Sequence, residues 1–200
     1  MGLEIIPIAG IALLILLSQS QPTNANYVGQ SYDGVGLNIE YVYGNEQKDR
    51  NTIYNYVTSR YPKISSEDAN LIADSLIDAG REHQVDPKFT AALIARESAF
   101  NKEAISSTGA KGLGQIKDFN FPSLNIQDPF DIRQNAKGTT QYLKSMLERW
   151  KAQSGKVALS LASYFKGPNA VAQDQGRLDE KSQAYVRDIL KIYDNLKSHR

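Results

Sequence analysis

In the stretch ALIARESAFNKEAISSTGAKGLGQIKD, Ala92 to Asp118, a glutamate falls where a helical pattern should be apolar. Positions four apart on a helix lie one above another, so Phe89, Leu93 and Glu97 share a stripe that Phe100 continues. A carboxyl among apolar neighbours has its charged form disfavoured by desolvation, so its pKa rises and it can hold a proton near neutral pH. That is the requirement of a general acid. Periodicity leaves two other readings open: an ion pair with Arg96 or Lys102, or a helix-end glutamate facing water. Downstream, Gly109, Gly112 and Gly114 permit backbone conformations and close approaches that side chains would block. Such a loop either presents backbone groups to a ligand or is an ordinary surface turn.

The elements that must hold Glu97 are helical. From about Asn51, Ile53, Tyr54, Val57 and Tyr61 form one stripe until Pro62. Ser65 with Asp68 three residues on reads as a weak capping box, and Ile72, Leu76 and Ile77 define the next apolar face, ending near His83. Pro87 suits the first turn of the helix bearing Phe89, Leu93 and Ile94. A long loop, Asn101 to Pro129, follows, and then three helical patterns, Ala136 to Trp150, Val157 to Phe165 and Ser182 to Leu196. Trp150, on a face with Leu143 and Leu147, reads as core.

Ahead of this domain, Ile5 to Leu17 is a continuous apolar run followed by polar SQSQPTNAN. About 13 residues fit the core of an export signal better than a membrane span, which needs roughly 20. Thr23 and Ala25 offer a small-x-small cleavage site, whereas Glu4 stands where a basic residue is usual. Residues 1–25 are therefore read as a signal peptide, or an uncleaved membrane anchor through residues 5–17, with a buried helix interrupted by Pro7 and Gly10 as the bland alternative. Residues 26–50, rich in tyrosine, glycine and asparagine, read as a flexible tether in which LNIEYVY is a brief strand-like interval. The net charge of +1 gives no footprint for nucleic acid. The absence of cysteine excludes disulfides, a thiol nucleophile and a cysteine-ligated zinc. Two histidines as far apart as His83 and His199 do not make a metal site.

Read together, ESAFNKEAISSTGAKGLGQI resembles the signature of the lytic transglycosylases with the goose-lysozyme-like fold, roughly E-S-x-F-x-x-x-A-x-S-x-x-G-A-x-G-L-x-Q. The matching residues are Glu97, Ser98, Phe100, Ala104, Ser106, Gly109, Ala110, Gly112, Leu113 and Gln115. Two later blocks follow in order: DPFDIRQNAKGTTQYL with Asn135, Gly138, Tyr142 and Leu143, and LASYFKGPNAV with Ala162, Tyr164, Gly167 and Val171. AYVRDIL is similar to the closing helix, so the resemblance runs from about Ser65 to Tyr193.

The resemblance implies a mainly α, lysozyme-like α+β domain over residues 51–200, with a two-lobed glycan cleft and at most a small β-hairpin. It implies Glu97 as sole general acid/base, acting without metal or organic cofactor on peptidoglycan. The bond is the one between N-acetylmuramic acid and N-acetylglucosamine, and closure of the muramic acid 6-hydroxyl gives a 1,6-anhydro end. A hydroxyl nucleophile within the substrate removes the need for a second carboxylate nucleophile. Asp118, Asp128 and Asp131 remain candidate second carboxylates, each read more simply as a loop or cap residue. Ser106, Gln115 and Tyr164 match positions that line the saccharide site, while Phe100 and Leu113 read as packing residues.

Two departures stand out. Gly114 replaces the family's usual methionine, which is expected to open a subsite wall, and Phe165 stands where the A-x-Y-N block carries asparagine, which is expected to alter preference for substrate length or peptide stem. A lysozyme-type hydrolase on the same fold and a non-catalytic peptidoglycan-binding protein are the rival readings. The implied setting is an exported, monomeric protein of the periplasm, cell envelope or exterior. The tyrosine-rich segment before the domain could dock on a secretion, conjugation or phage machine, as in small members of the family, or act as a spacer from the membrane.

Overall fold

The computed structural model describes residues 37–198; the leader and residues 26–36 of the expected tether lie outside them, as does His199. Among the described residues, eight α-helices follow in order: α1 Glu46–Arg60, α2 Ser66–His83, α3 Pro87–Ser98, α4 Phe121–Leu124, α5 Ile132–Arg149, α6 Lys156–Lys166, α7 Pro168–Gln173 and α8 Glu180–Ser198. A 3-10 turn, Asp118–Asn120, leads into α4. The described residues form no strand; β-type pairing among them is confined to antiparallel bridges of Lys111 with Ile105 and with Ile116.

The central element is α3. Asp86 caps it by accepting a hydrogen bond from the Lys88 amide, and Pro87 fills the first turn where no donor is needed. Its residues from Phe89 to Ala95 are all buried, and Ala91, Ala92 and Ala95 are small enough for neighbouring helices to approach from several sides. It packs on α8 and α2 and touches α1 and α5, while α2 runs along α5. One apolar core, with Ile72, Leu76, Phe89, Leu93, Leu143, Val186 and Ile189 among its members, joins these helices.

The helix that bears Glu97 ends one residue later, which corrects the expected continuation of its stripe to Phe100. Ala99 (φ 52°) and Phe100 (φ 60°) both adopt left-handed backbone. That conformation is costly for non-glycine residues. Burial of the Phe100 ring offsets the cost: it is 1% exposed and meets the rings of Tyr61 and Tyr56 edge-on at 5.3 and 6.4 Å.

The N-terminal boundary also differs from the expectation. Helix α1 begins at Glu46, and two of the described residues before it pack against the domain. Ile39 and Tyr41 are buried, the Asp86 amide donates to the Ile39 carbonyl at 2.8 Å, and Tyr193 donates to the Asn38 carbonyl at 2.9 Å. LNIEYVY alternates buried and exposed residues like a strand, but it lies against helices, and among the described residues there is no strand for it to pair with. Within the long loop the sequence showed only turn residues, because a 3-10 turn and the single turn of α4 are too short to display a helical period.

Candidate active site

Glu97 sits on the last turn of α3, half-buried. Neither basic residue nominated as its ion partner is bonded to it. Arg96 pairs with Asp188 at 3.0 Å, and Lys102 pairs with Asp68 at 2.9 Å. The hydrogen bond to the carboxyl comes from α8, where the Tyr185 hydroxyl donates to Glu97 Oε1. Burial raises the Glu97 pKa; the Tyr185 hydrogen bond and the positive charge of Arg96 oppose that rise without cancelling it. Burial, reinforced by the negative charge of Glu97, also holds the Tyr185 phenol well above its ordinary value, so Tyr185 remains a donor. A carboxyl whose pKa is raised by burial, with a fixed donor beside it for the charged form, has the features that giving up a proton and taking one back require.

Tyr164 reaches the same place from α6. Its hydroxyl donates to the Gly114 carbonyl at 2.7 Å, and burial together with the nearby Glu97 charge raises its pKa well above normal. Its ring leans on Tyr142 of α5, 5.1 Å between centres, and both pack on the small cluster of Ile116, Leu124 and Ile126.

The glycine loop is clamped from α5 by Asn135, which is fully buried. Its amide nitrogen donates to the carbonyls of Pro129 (2.8 Å) and Lys111 (3.2 Å), and its oxygen accepts from the Gly114 amide at 2.8 Å and the Thr139 hydroxyl at 3.3 Å. Gly112, at φ 74°, is required by this clamp, since a Cβ there would overlap the Pro129 carbonyl and the Asn135 amide. Gly114 is required by Thr139: an added Cβ would overlap Thr139 Oγ1 and lie 2.8 Å from Thr139 Cβ. The expectation that Gly114 opens a wall is therefore corrected, because Thr139 fills that space from the neighbouring helix.

The remaining expected residues fall around this frame. Gln115, at φ 51°, turns its amide nitrogen into the loop, donating to the carbonyls of Gly112 (3.0 Å) and Ala104 (3.1 Å), which leaves its amide oxygen as the group to offer a ligand. Ser106 holds the turn through Gly109, with its hydroxyl accepting from the Ala110 amide at 2.9 Å. Leu113 is core, and Ser98 bonds back along α3 to the Ile94 carbonyl at 3.4 Å. The three aspartates weighed as second carboxylates are engaged elsewhere: Asp118 with Lys111 at 2.8 Å, Asp128 on the Phe130 amide, and Asp131 as the cap of α5. Among the described residues no group of three or more histidines and carboxylates could hold a metal. A surface groove lined by Asn51, Asn55, Arg60, Arg96, Asp188 and Lys191 lies between α1 and α8 and does not include Glu97.

Three residues escaped the sequence reading. Tyr185 was not singled out, and its only signal was its place in AYVRDIL. Thr139 carried no signal. Asn135 was picked out as part of a block, without a role.

A helical core with a half-buried carboxyl of raised pKa at a helix end, and a nearby glycine loop held by close backbone contacts, describes a lysozyme-like domain. The chain belongs to the Transglycosylase SLT domain family, whose model matches residues 74–186. It is 28% identical over 113 residues to a transglycosylase of Enterobacteria phage PRD1, covering 56% of this chain and 39% of that protein. It is 33% identical over 102 residues to membrane-bound lytic murein transglycosylase F of Pectobacterium atrosepticum, covering 50% of this chain and 21% of that one. The chain thus spans well under half the length of these relatives. Among solved structures, the 70 kDa soluble lytic transglycosylase of Escherichia coli superposes with a TM-score of 0.52 at 20% identity, over 76% of this chain and 29% of that one, a likeness of fold.

Proposed function

We propose that this protein is a peptidoglycan lytic transglycosylase. Glu97, protonated, donates to the glycosidic oxygen between N-acetylmuramic acid and N-acetylglucosamine as the bond from that oxygen to the anomeric carbon breaks. The carboxylate left on Glu97 then takes the proton of the muramic acid 6-hydroxyl, whose oxygen closes on the anomeric carbon. Glu97 ends as it began, and no water is consumed. The observation that carries the reading is a half-buried carboxyl with a raised pKa, held by Tyr185 and bonded to no basic side chain. The engagement of Asp118, Asp128 and Asp131 elsewhere favours an intramolecular nucleophile over a second carboxylate.

The same reading makes the protein an envelope enzyme, exported through the apolar leader and working as a monomer on glycan strands. The name of its relative, membrane-bound lytic murein transglycosylase F, supports the envelope setting. Among the described residues no helix is long and apolar enough to cross a membrane; the apolar run of residues 5–17 is the segment proposed for export or attachment. The test is mass analysis of soluble fragments released from peptidoglycan by the full chain. Anhydro-muropeptides, lighter by one water than hydrolysis products, are the expected result; reducing ends would reassign the protein as a muramidase.

A further inference from the structure

Phe165, on the last turn of α6, is the feature of the site that its acid–base chemistry does not use. It is 47% exposed, whereas Tyr185 beside it is buried. The two rings stack, 4.7 Å between centres and inclined by only 20°. One face of Phe165 is therefore covered. With so much of its surface still in water, the other face is open. An exposed aromatic face is unfavourable in water, and it is not part of any core cluster among the described residues.

Its position gives that face a purpose. The ring under Phe165 is the one whose hydroxyl donates to Glu97. Adding the length of a phenol and one hydrogen bond to the stacking distance puts the open face within roughly 10 Å of the reacting carboxyl. That is the distance scale of a sugar at the cleaved bond or its immediate neighbour. The platform is also held still. Lys166, the next residue, pairs with Asp174 at 2.7 Å and Asp179 at 3.0 Å, tying the end of α6 to the segment that follows. Fixed elements present a binding group more accurately than free loops.

We infer that Phe165 is a stacking platform for the C–H face of a β-linked N-acetylhexosamine, a substrate-binding residue that sets which sugar ring is held beside Glu97. This rests on the glycan-cleaving reading above. In a β-linked N-acetylglucosamine unit the ring substituents are equatorial, so H1, H3 and H5 all project from one side as an apolar, weakly positive patch. Such a patch suits the electron-rich face of an aromatic ring. Stacking of this kind reads the shape of the ring and ignores substituents at its edge. The site therefore accepts changes in the acetyl or peptide decoration of that unit and rejects loss of the flat C–H face, as in an α-linked or axially substituted sugar.

The experiment is an NMR titration of the full-length Glu97→Gln protein, which binds without turnover, with the soluble β-1,4-linked hexamer of N-acetylglucosamine. The expected result is an upfield ring-current shift of H1, H3 and H5 of one sugar unit. Phe165→Leu in the same background, which keeps apolar bulk and loses the π-face, abolishes that shift and weakens binding about 3- to 10-fold, the scale of one aromatic contact. Phe165→Tyr restores both, which separates stacking from mere support of Tyr185. Equal affinity and unchanged sugar shifts in Phe165→Leu would overturn the inference and leave the glycan-cleaving reading intact. Failure of the hexamer and of peptidoglycan fragments to bind any of these proteins would overturn both.

Discussion

The Tyr185 hydroxyl on α8 donates a hydrogen bond to Glu97 on α3, so this carboxyl is tied to the helix that packs along its own. In the mechanism proposed above, protonation of the leaving oxygen turns Glu97 into a carboxylate, and this bond is already in place to receive that charge. Removing it with Tyr185→Phe costs about 1.5–3 kcal/mol of transition-state stabilisation, roughly a 10- to 100-fold loss in kcat/KM. The same change removes the larger of the two influences that lower the Glu97 pKa, so the alkaline fall in activity moves to higher pH. Turnover measured across pH checks both effects. A loss of rate with an unmoved profile would show that Tyr185 acts by packing alone.

Stability should carry the mark of Glu97 as well. Its folded pKa lies above its unfolded value because burial disfavours the charge. Below the unfolded pKa both states hold the proton and nothing is lost. As pH rises from there through the folded pKa, the unfolded chain releases its proton more readily, and stability falls. Glu97→Gln lacks this liability and keeps an acceptor for Tyr185. Its Tm should match that of the parent near pH 4 and exceed it at pH 8, as thermal unfolding at the two pH values would reveal. A constant difference would contradict a raised pKa.

Gly114 and Thr139 form a packing pair. Gly114→Ala pushes a Cβ into Thr139 Oγ1 and should cost about 1–3 kcal/mol by overpacking. Combined with Thr139→Ala, which withdraws the colliding hydroxyl, the loss should be smaller than the sum of the single changes. Urea denaturation of the four proteins measures the coupling; simple additivity would mean that the loop moves aside freely.

Asn135 is the third structural test. Asn135→Leu leaves the buried Gly114 amide and Pro129 carbonyl without their partner and should cost about 2–4 kcal/mol. Asn135→Asp places a carboxylate against two carbonyl oxygens, so its penalty should be larger at pH 7 than at pH 4. A penalty that does not change with pH would place the carbonyls out of contact with that side chain.

How far these relationships can be read from sequence depends on their range. The Ser65 cap of α2, with the Asp68 amide at 3.0 Å, and the Pro87 start of α3 were legible because capping is local chemistry. The reciprocal half of the box was not formed, since the Asp68 carboxylate takes Lys102 instead. Glu97 was legible as a misfit in an apolar pattern, and the role of acid proposed for it comes from the family signature rather than from the pattern. Its partner Tyr185 was not, because a buried tyrosine on a helical stripe looks the same whether its hydroxyl meets an acid or a carbonyl. Gly114 misled for a related reason. A missing side chain reads as empty space until the helix that fills it is seen, and Thr139 arrives from a different helix.

The central claim is that Glu97 drives cleavage without water, and the most direct test is the reaction of the full chain with peptidoglycan in water enriched in oxygen-18. The account predicts anhydro-muropeptides carrying no label, and no release of fragments by Glu97→Gln. Label at the anomeric carbon of the first products, or cleavage undiminished in Glu97→Gln, would contradict it.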